Sequence, residues 1–262
     1  MRTSSNPAFR ALSGKGQSQG GYANFGHQGQ QPTGYGYPAA PPTAADRPMT
    51  IDDVVTKTAT ALGTTIVVGG VTAYFGLTPI YALFAGLVGM GLAFFITFRQ
   101  STSPALILTY AAVEGVFLGT ITKVIDYLVP GVAVQAIVGT LVVFATMLVL
   151  YRTGAVKVTP RLTKWIIGAT MGAFALVVFN LLLSFFGLNL GVRGNGPLAI
   201  IVSLVFIGIA AFNLLLDFDQ ADRAIRAGAP ARFAWYIAFG LMVTLVWLYI
   251  EILNLLAQLQ RN

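Results

Sequence analysis

The sequence predicts an all-α integral membrane protein, a bundle of seven transmembrane helices preceded by a disordered N-terminal tail. Three observations predict it. Seven apolar runs of spanning length follow one another with short connections. Only 10% of the 262 residues are charged, against 56% hydrophobic, where a soluble domain carries about 25% charged residues. The basic residues gather between alternate runs.

Residues 1–49 are rich in Gly, Gln, Pro, Tyr and Ala. Such a segment cannot bury enough apolar surface to offset its ordering entropy, so it is expected to be a disordered cytoplasmic tail. It holds no apolar stretch of the signal-peptide kind. Thr50 and Asp53 then form a capping-box pattern that starts the first helix. The apolar runs cover about 58–77, 79–98, 103–125, 131–151, 164–187, 196–218 and 233–258. Roughly 20 residues at about 1.5 Å each cross the hydrocarbon, and with such short connections only helices satisfy the backbone there. Leu77-Thr78-Pro79 makes a tight hairpin between the first two. After the sixth run, Asp219 and Asp222 stand four residues before Arg223 and Arg226, a solvated helix face. Gly228 and Pro230 end that helix.

Orientation follows from Lys and Arg. With the N-terminus inside, Arg2, Arg10, Lys15, Arg47, Lys57, Arg99, Arg152, Lys157, Arg161, Lys164, Arg223, Arg226 and Arg232 lie on the inner side. Only Lys123, Arg193 and Arg261 lie outside, a ratio of 13 to 3. The expected localisation is the cell membrane, multi-pass, with the N-terminus cytoplasmic and the C-terminus outside.

The composition also excludes chemistry. There is no Cys, and the single His, His27, lies in the tail. Thiol catalysis, thiolate or imidazole metal sites and a Ser–His–Asp triad are therefore absent from the membrane domain. No Lys lies deep in a span. The chain is not expected to be an enzyme. It forms no basic patch with interleaved aromatics, so nucleic acid is not expected as a partner.

What remains is acid in the membrane. Glu251 is the one charged residue of its run, and Asp217 and Glu114 fall in or at the edge of others. Each costs roughly 2.5–3.5 kcal/mol on insertion scales. Helical spacing sets Thr244, Glu251, Asn254 and Gln258 on one stripe, and Ser203, Ala210, Asn213, Asp217 and Gln220 on another. Both stripes should face the bundle interior. If the last span begins near Gly240, with Trp235 and Tyr236 at the interface, Glu251 lies about 16 Å deep and Asp217 about 8–9 Å. The two carboxyls would then be within reach of each other. Two acids sharing a low-dielectric site cannot both ionise cheaply, and a hard divalent cation would bind their charge states differently. Gly86, Gly89, Gly91, Gly115, Gly119 and Gly240 are expected to permit close helix packing.

Leu216-Asp217-Phe218-Asp219-Gln220, Leu248-Tyr249-Ile250-Glu251-Ile252-Leu253-Asn254 and Glu114-Gly115 with Leu118-Gly119 resemble the signature regions of the Bax inhibitor-1 family. The resemblance covers roughly residues 55–258, leaves out the tail, and is closest to a bacterial branch. It implies a bundle with the last helix central and a pH-sensitive calcium leak latched by an acidic pair. The matching positions are Asp217 and Glu251, with Arg99 as the counter-charge of Asp217. With Glu114, which the resemblance gives no role and which is a candidate as an acid in an apolar run, the ion- and proton-sensing candidates are Asp217, Glu251, Arg99 and Glu114. Asn213, Asn254 and Thr244 are the lining polar candidates, and Asp217 and Glu251 would contact a transient Ca²⁺. No resident cofactor is expected. Two function classes stay open, a proton-gated cation leak and a non-conducting regulator that binds a membrane protease or stress-response protein.

Overall fold

The computed structural model describes residues 47–188, 190–192, 194 and 196–261. The expectation of disorder for residues 1–46 lies outside these. Seven helices, each long and apolar enough to cross a membrane, appear among the described residues: α1 (Ile51–Phe75), α2 (Pro79–Arg99), α3 (Pro104–Leu128), α4 (Val132–Arg152), α5 (Pro160–Phe185), α6 (Pro197–Arg226) and α7 (Ala234–Arg261).

Their ends are set by local chemistry. Thr50 and Asp53 form the reciprocal capping box that the sequence predicts. Gly76 closes α1 in the left-handed conformation (φ 66°), and Pro79 opens α2 three residues later. Asp126 Oδ1 accepts the N–H groups of Gly131 and Ala133 at 3.0 and 3.2 Å, which turns the chain into α4. Thr159 caps α5 through the Leu162 N–H. The sixth helix outruns its apolar stretch and continues to Arg226. Asp219 pairs with Arg223 and Asp222 with Arg226, each at 2.6 Å, on its polar end. Gly228 (φ 67°) then stops it.

The last helix is the hub. One face packs with α1, α4 and α6 around Leu214, Leu245, Leu248 and Leu253. The other packs with α1, α2 and α3 around Ala61, Ile96, Ile107, Tyr110 and Met242. It begins at Ala234, directly after a 3-10 turn at Ala231–Phe233. The helix thus extends back to Ala234 from Gly240, near which the membrane span was expected to begin. Ala234, Ile237, Ala238 and Phe239 are all buried in the bundle, so the first turns of the helix belong to the packed core.

α1 and α3 cross at backbone contact. A Cβ on Gly119 would stand 2.3 Å from the Gly69 carbonyl oxygen, and one on Gly115 would stand 2.8 Å from that of Thr65. Among the glycines expected to pack closely, Gly115 and Gly119 do so against backbone, and Gly86 and Gly89 against the side chains of Phe117 and Glu114. Gly91 has open space around it.

Side-chain ties mark the two ends of the bundle. Tyr151 of α4 donates to Asp222 of α6 at 3.3 Å at the basic end. Gln260 of α7 donates to Gln135 of α4 at 2.8 Å at the other. Residues 47–49, expected to be part of the tail, pack on the helices. Met49 is 2% exposed, and Pro48 bridges Pro230 antiparallel.

Candidate functional site

The site candidates lie along the seam between α6 and α7. The two helices run antiparallel, and three contacts fix their register. Gln258 donates to Ser203 at 3.5 Å. The rings of Phe206 and Trp247 have centroids 6.5 Å apart. The Asp217 carboxyl lies 3.9 Å from where a Gly240 Cβ would be.

That register separates the two acids. Asp217 lies level with Gly240, and Glu251 stands eleven positions further along α7, about 16 Å along the axis. The carboxyl pair expected from the sequence is therefore not formed. The cause is helical continuity, because α7 is already two turns long where it meets Asp217.

Each acid instead has a cavity of its own. Asp217 shares a cavity of about 70 Å³ with Gln220, Tyr236, Ile237, Phe239 and Gly240. Thr244, one turn beyond Gly240, is the hydrogen-bonding neighbour of the carboxyl. Its other oxygen, Oδ2, is sealed from outside and has no hydrogen-bond partner. Glu251 is 1% exposed. It lines a cavity of about 50 Å³ with Val192, Val202, Ser203, Phe206, Asn254 and Gln258. The Oε1 of Gln258 is buried there without a partner. Both spaces suit a few water molecules at most. Between them the seam is apolar. Ala210 and Leu214 of α6 meet Leu245 and Leu248 of α7 in one buried cluster.

The remaining candidates divide. Thr244 and Asn254 stand at the two acids, as their stripe predicts. Asn213 does not line either cavity, because its amide donates to Thr170 of α5 at 2.7 Å and to the Ile209 carbonyl at 2.9 Å. It is an interhelical tie. Arg99 is exposed at the end of α2 and its guanidinium stacks over Phe95 at 5.7 Å. Since α2 packs chiefly on α3 and not on α6, Arg99 is not the counter-charge of Asp217. Glu114 is buried between α2 and α3, with Tyr110 as its hydrogen-bonding partner. One of its oxygens fills the space where a Gly89 Cβ would be, 3.0 Å away. The Tyr110 ring meets Phe239, a wall of the Asp217 cavity, edge-on at 5.1 Å, so two aromatic rings link Glu114 to that cavity.

Sequence reasoning missed Gly240 as the residue facing Asp217, and missed Phe239 in the cavity wall. Counting outward from the turn at Gly228–Pro230 would have found both. Among the described residues no three His, Cys, Asp or Glu side chains converge. A passing cation would meet one carboxylate at a time, with neutral oxygens from Thr, Ser, Asn or Gln beside it.

No curated protein matched the chain. The family model for Bax inhibitor 1 like proteins matches residues 6–261, which takes in the tail as well as the region 55–258 that carries the motifs. With all seven helices inside that match, the chain belongs to the Bax inhibitor 1 like family.

Proposed function

We propose that this protein is a proton-sensitive cation leak of the cell membrane. It passes Ca²⁺ as cargo, has no resident cofactor and catalyses no reaction. The observation that carries the proposal is the buried, orphaned Oδ2 of Asp217, a residue that lines a small cavity. A buried carboxylate oxygen without a partner is costly, by about 1–3 kcal/mol or more. A proton, a water or a cation relieves that cost. Protons and cations therefore compete for one oxygen, and that competition is the pH sensitivity. Glu251, further along the same seam, is the second station. The two act in series and not as a clasped pair.

In the closed seam the four apolar residues between the cavities block passage. At low pH the proton occupies Asp217 and the seam stays dry. As pH rises the carboxylate draws water and cations into its cavity, and the packing of α6 on α7 loosens. The leak should therefore increase with pH. The orientation follows the basic asymmetry, which puts the Asp217 end toward the cytoplasm. Reporter fusions after Lys157 and Ala227 should read cytoplasmic and one after Gly191 should read external. The opposite pattern would reverse the direction of the path.

The test is Ca²⁺ flux in liposomes containing only this protein, at matched incorporation and several pH values. Asp217→Asn should flatten the pH dependence, because an amide neither takes up nor releases the proton. Glu251→Gln should lower flux at every pH where the wild type conducts. If the wild type passes nothing at any pH, or both variants keep its flux–pH curve, the leak reading falls. The alternative is then a regulator that binds a membrane protease or stress-response protein.

A further inference from the structure

The turn between α6 and α7 is held by residues that precede α1. Arg47-Pro48-Met49 lies antiparallel to Ala229-Pro230-Ala231. The Met49 N–H donates to the Ala229 carbonyl and the Ala231 N–H to the Arg47 carbonyl, both at 2.7 Å. The Lys57 ammonium donates to the Ala231 carbonyl. Arg47 is itself gripped by Asp53, whose two oxygens accept its guanidinium at 2.7 and 2.8 Å. Asp53 also caps the start of α1.

This strap bears on the Asp217 cavity. The Met49 side chain is buried in the same cluster as Ala221, Ala234 and Ile237. Ile237 is also a wall of that cavity. Among the described residues the strap meets the turn through two backbone hydrogen bonds and one buried methionine, and the Lys57 ammonium holds the turn from α1. A contact set of that size can open locally while α1 and the bundle stay folded. The strap is also where the first 46 residues of the chain join the membrane domain.

We infer that residues 47–49 are a strap that keeps the α6–α7 turn clamped over the Asp217 cavity, and that lifting the strap opens the cavity. The strap deepens the leak reading, since it would regulate the same site, but it can be tested without measuring flux.

The chain has no cysteine, so one introduced thiol reports alone. Ile237→Cys is placed in the full-length protein in nanodiscs, where both faces meet solvent. It is then treated with a small membrane-impermeant methanethiosulfonate. Ile237 is 3% exposed, and the thiol should label slowly. Adding Met49→Asp, which puts a charge in the buried slot, should speed labelling at least tenfold. Lys57→Met, which removes the bond to Ala231 together with the 3.8 Å ion pair to Asp53, should speed it several-fold. Lys123→Met, near the opposite end of the bundle, should leave it unchanged. Amide hydrogen exchange at Ala231 should rise in the first two variants alone. If Met49→Asp does not fold, Lys57→Met decides. Faster exchange at Ala231 with unchanged labelling at position 237 overturns the inference, as does unchanged exchange in both. Faster labelling in a protein that passes no Ca²⁺ leaves the strap standing and sinks the leak. A pH-dependent flux with unaltered labelling does the reverse.

Discussion

Gly119→Ala should cost the bundle about 3 kcal/mol, the upper end of what overpacking usually costs. A methyl group there would lie 2.3 Å from the Gly69 carbonyl oxygen and 2.9 Å from the Gly69 Cα. Both are backbone atoms of a neighbouring helix and cannot rotate away. The only relief is to part α1 from α3. That breaks the matching contact at Gly115, whose Cβ would press on the Thr65 carbonyl and the Val68 Cβ at 2.8 and 2.9 Å. It also disturbs the Thr65 hydroxyl, which donates to the Ala111 carbonyl of α3 at 3.1 Å and touches Met242 of α7. Gly119→Val should fail to fold. Gly70→Ala is the control, since nothing lies within 4 Å of its Cβ position. Alanine there should be neutral or slightly stabilising, because glycine is the poorer helix former. Thermal unfolding in detergent separates the cases. Equal stability of Gly119→Ala and Gly70→Ala would mean that the close crossing does not hold the bundle together.

The fold was largely legible because each of its signals is local. Spanning length, the Thr50–Asp53 capping box, prolines at the first helical turn and glycines past the last one each act within a few residues. Register between helices is a different kind of information. The stripes through Asp217 and Glu251 both face inward, as their spacing predicts, yet facing inward does not set height. Height depends on where α7 becomes helical after Pro230, and the apolar run gives only a limit for that. Helical continuity from Ala234 moves the partner of Asp217 from Glu251 to Gly240. Asn213 shows the same weakness. It shares the Asp217 stripe, but a hydroxyl on α5 claims its amide. Gly69 went unnoticed for another reason. Its role appears only when Gly115 and Gly119 are laid against it, and a single helix does not reveal its partner.

On the proposed leak reading, Leu248→Thr should let Ca²⁺ pass the seam at every pH. Leu248 is fully buried with Leu214 between the two acid cavities, where hydrophobic packing keeps water out. Threonine is smaller and carries a hydroxyl that seeks a hydrogen bond. A water at that level would connect the Asp217 space to the Glu251 space. Leu248→Ala separates volume from polarity. It leaves a larger void, and an apolar void of modest size stays dry. Both changes should destabilise the protein, and the alanine by about 2–5 kcal/mol. Only the threonine should raise Ca²⁺ flux strongly, about tenfold or more at low pH, where the proposed leak is closed. The flux–pH curve should flatten at the same time, because Asp217 no longer controls whether the plug is wet. Combining Leu248→Thr with Asp217→Asn should then keep most of the raised flux. If the threonine variant folds and its flux stays at the wild-type level, the α6–α7 seam is not the path. If alanine and threonine raise flux equally, lost packing and not hydration opens it, and the closed state is held by the fit of α7 against α6.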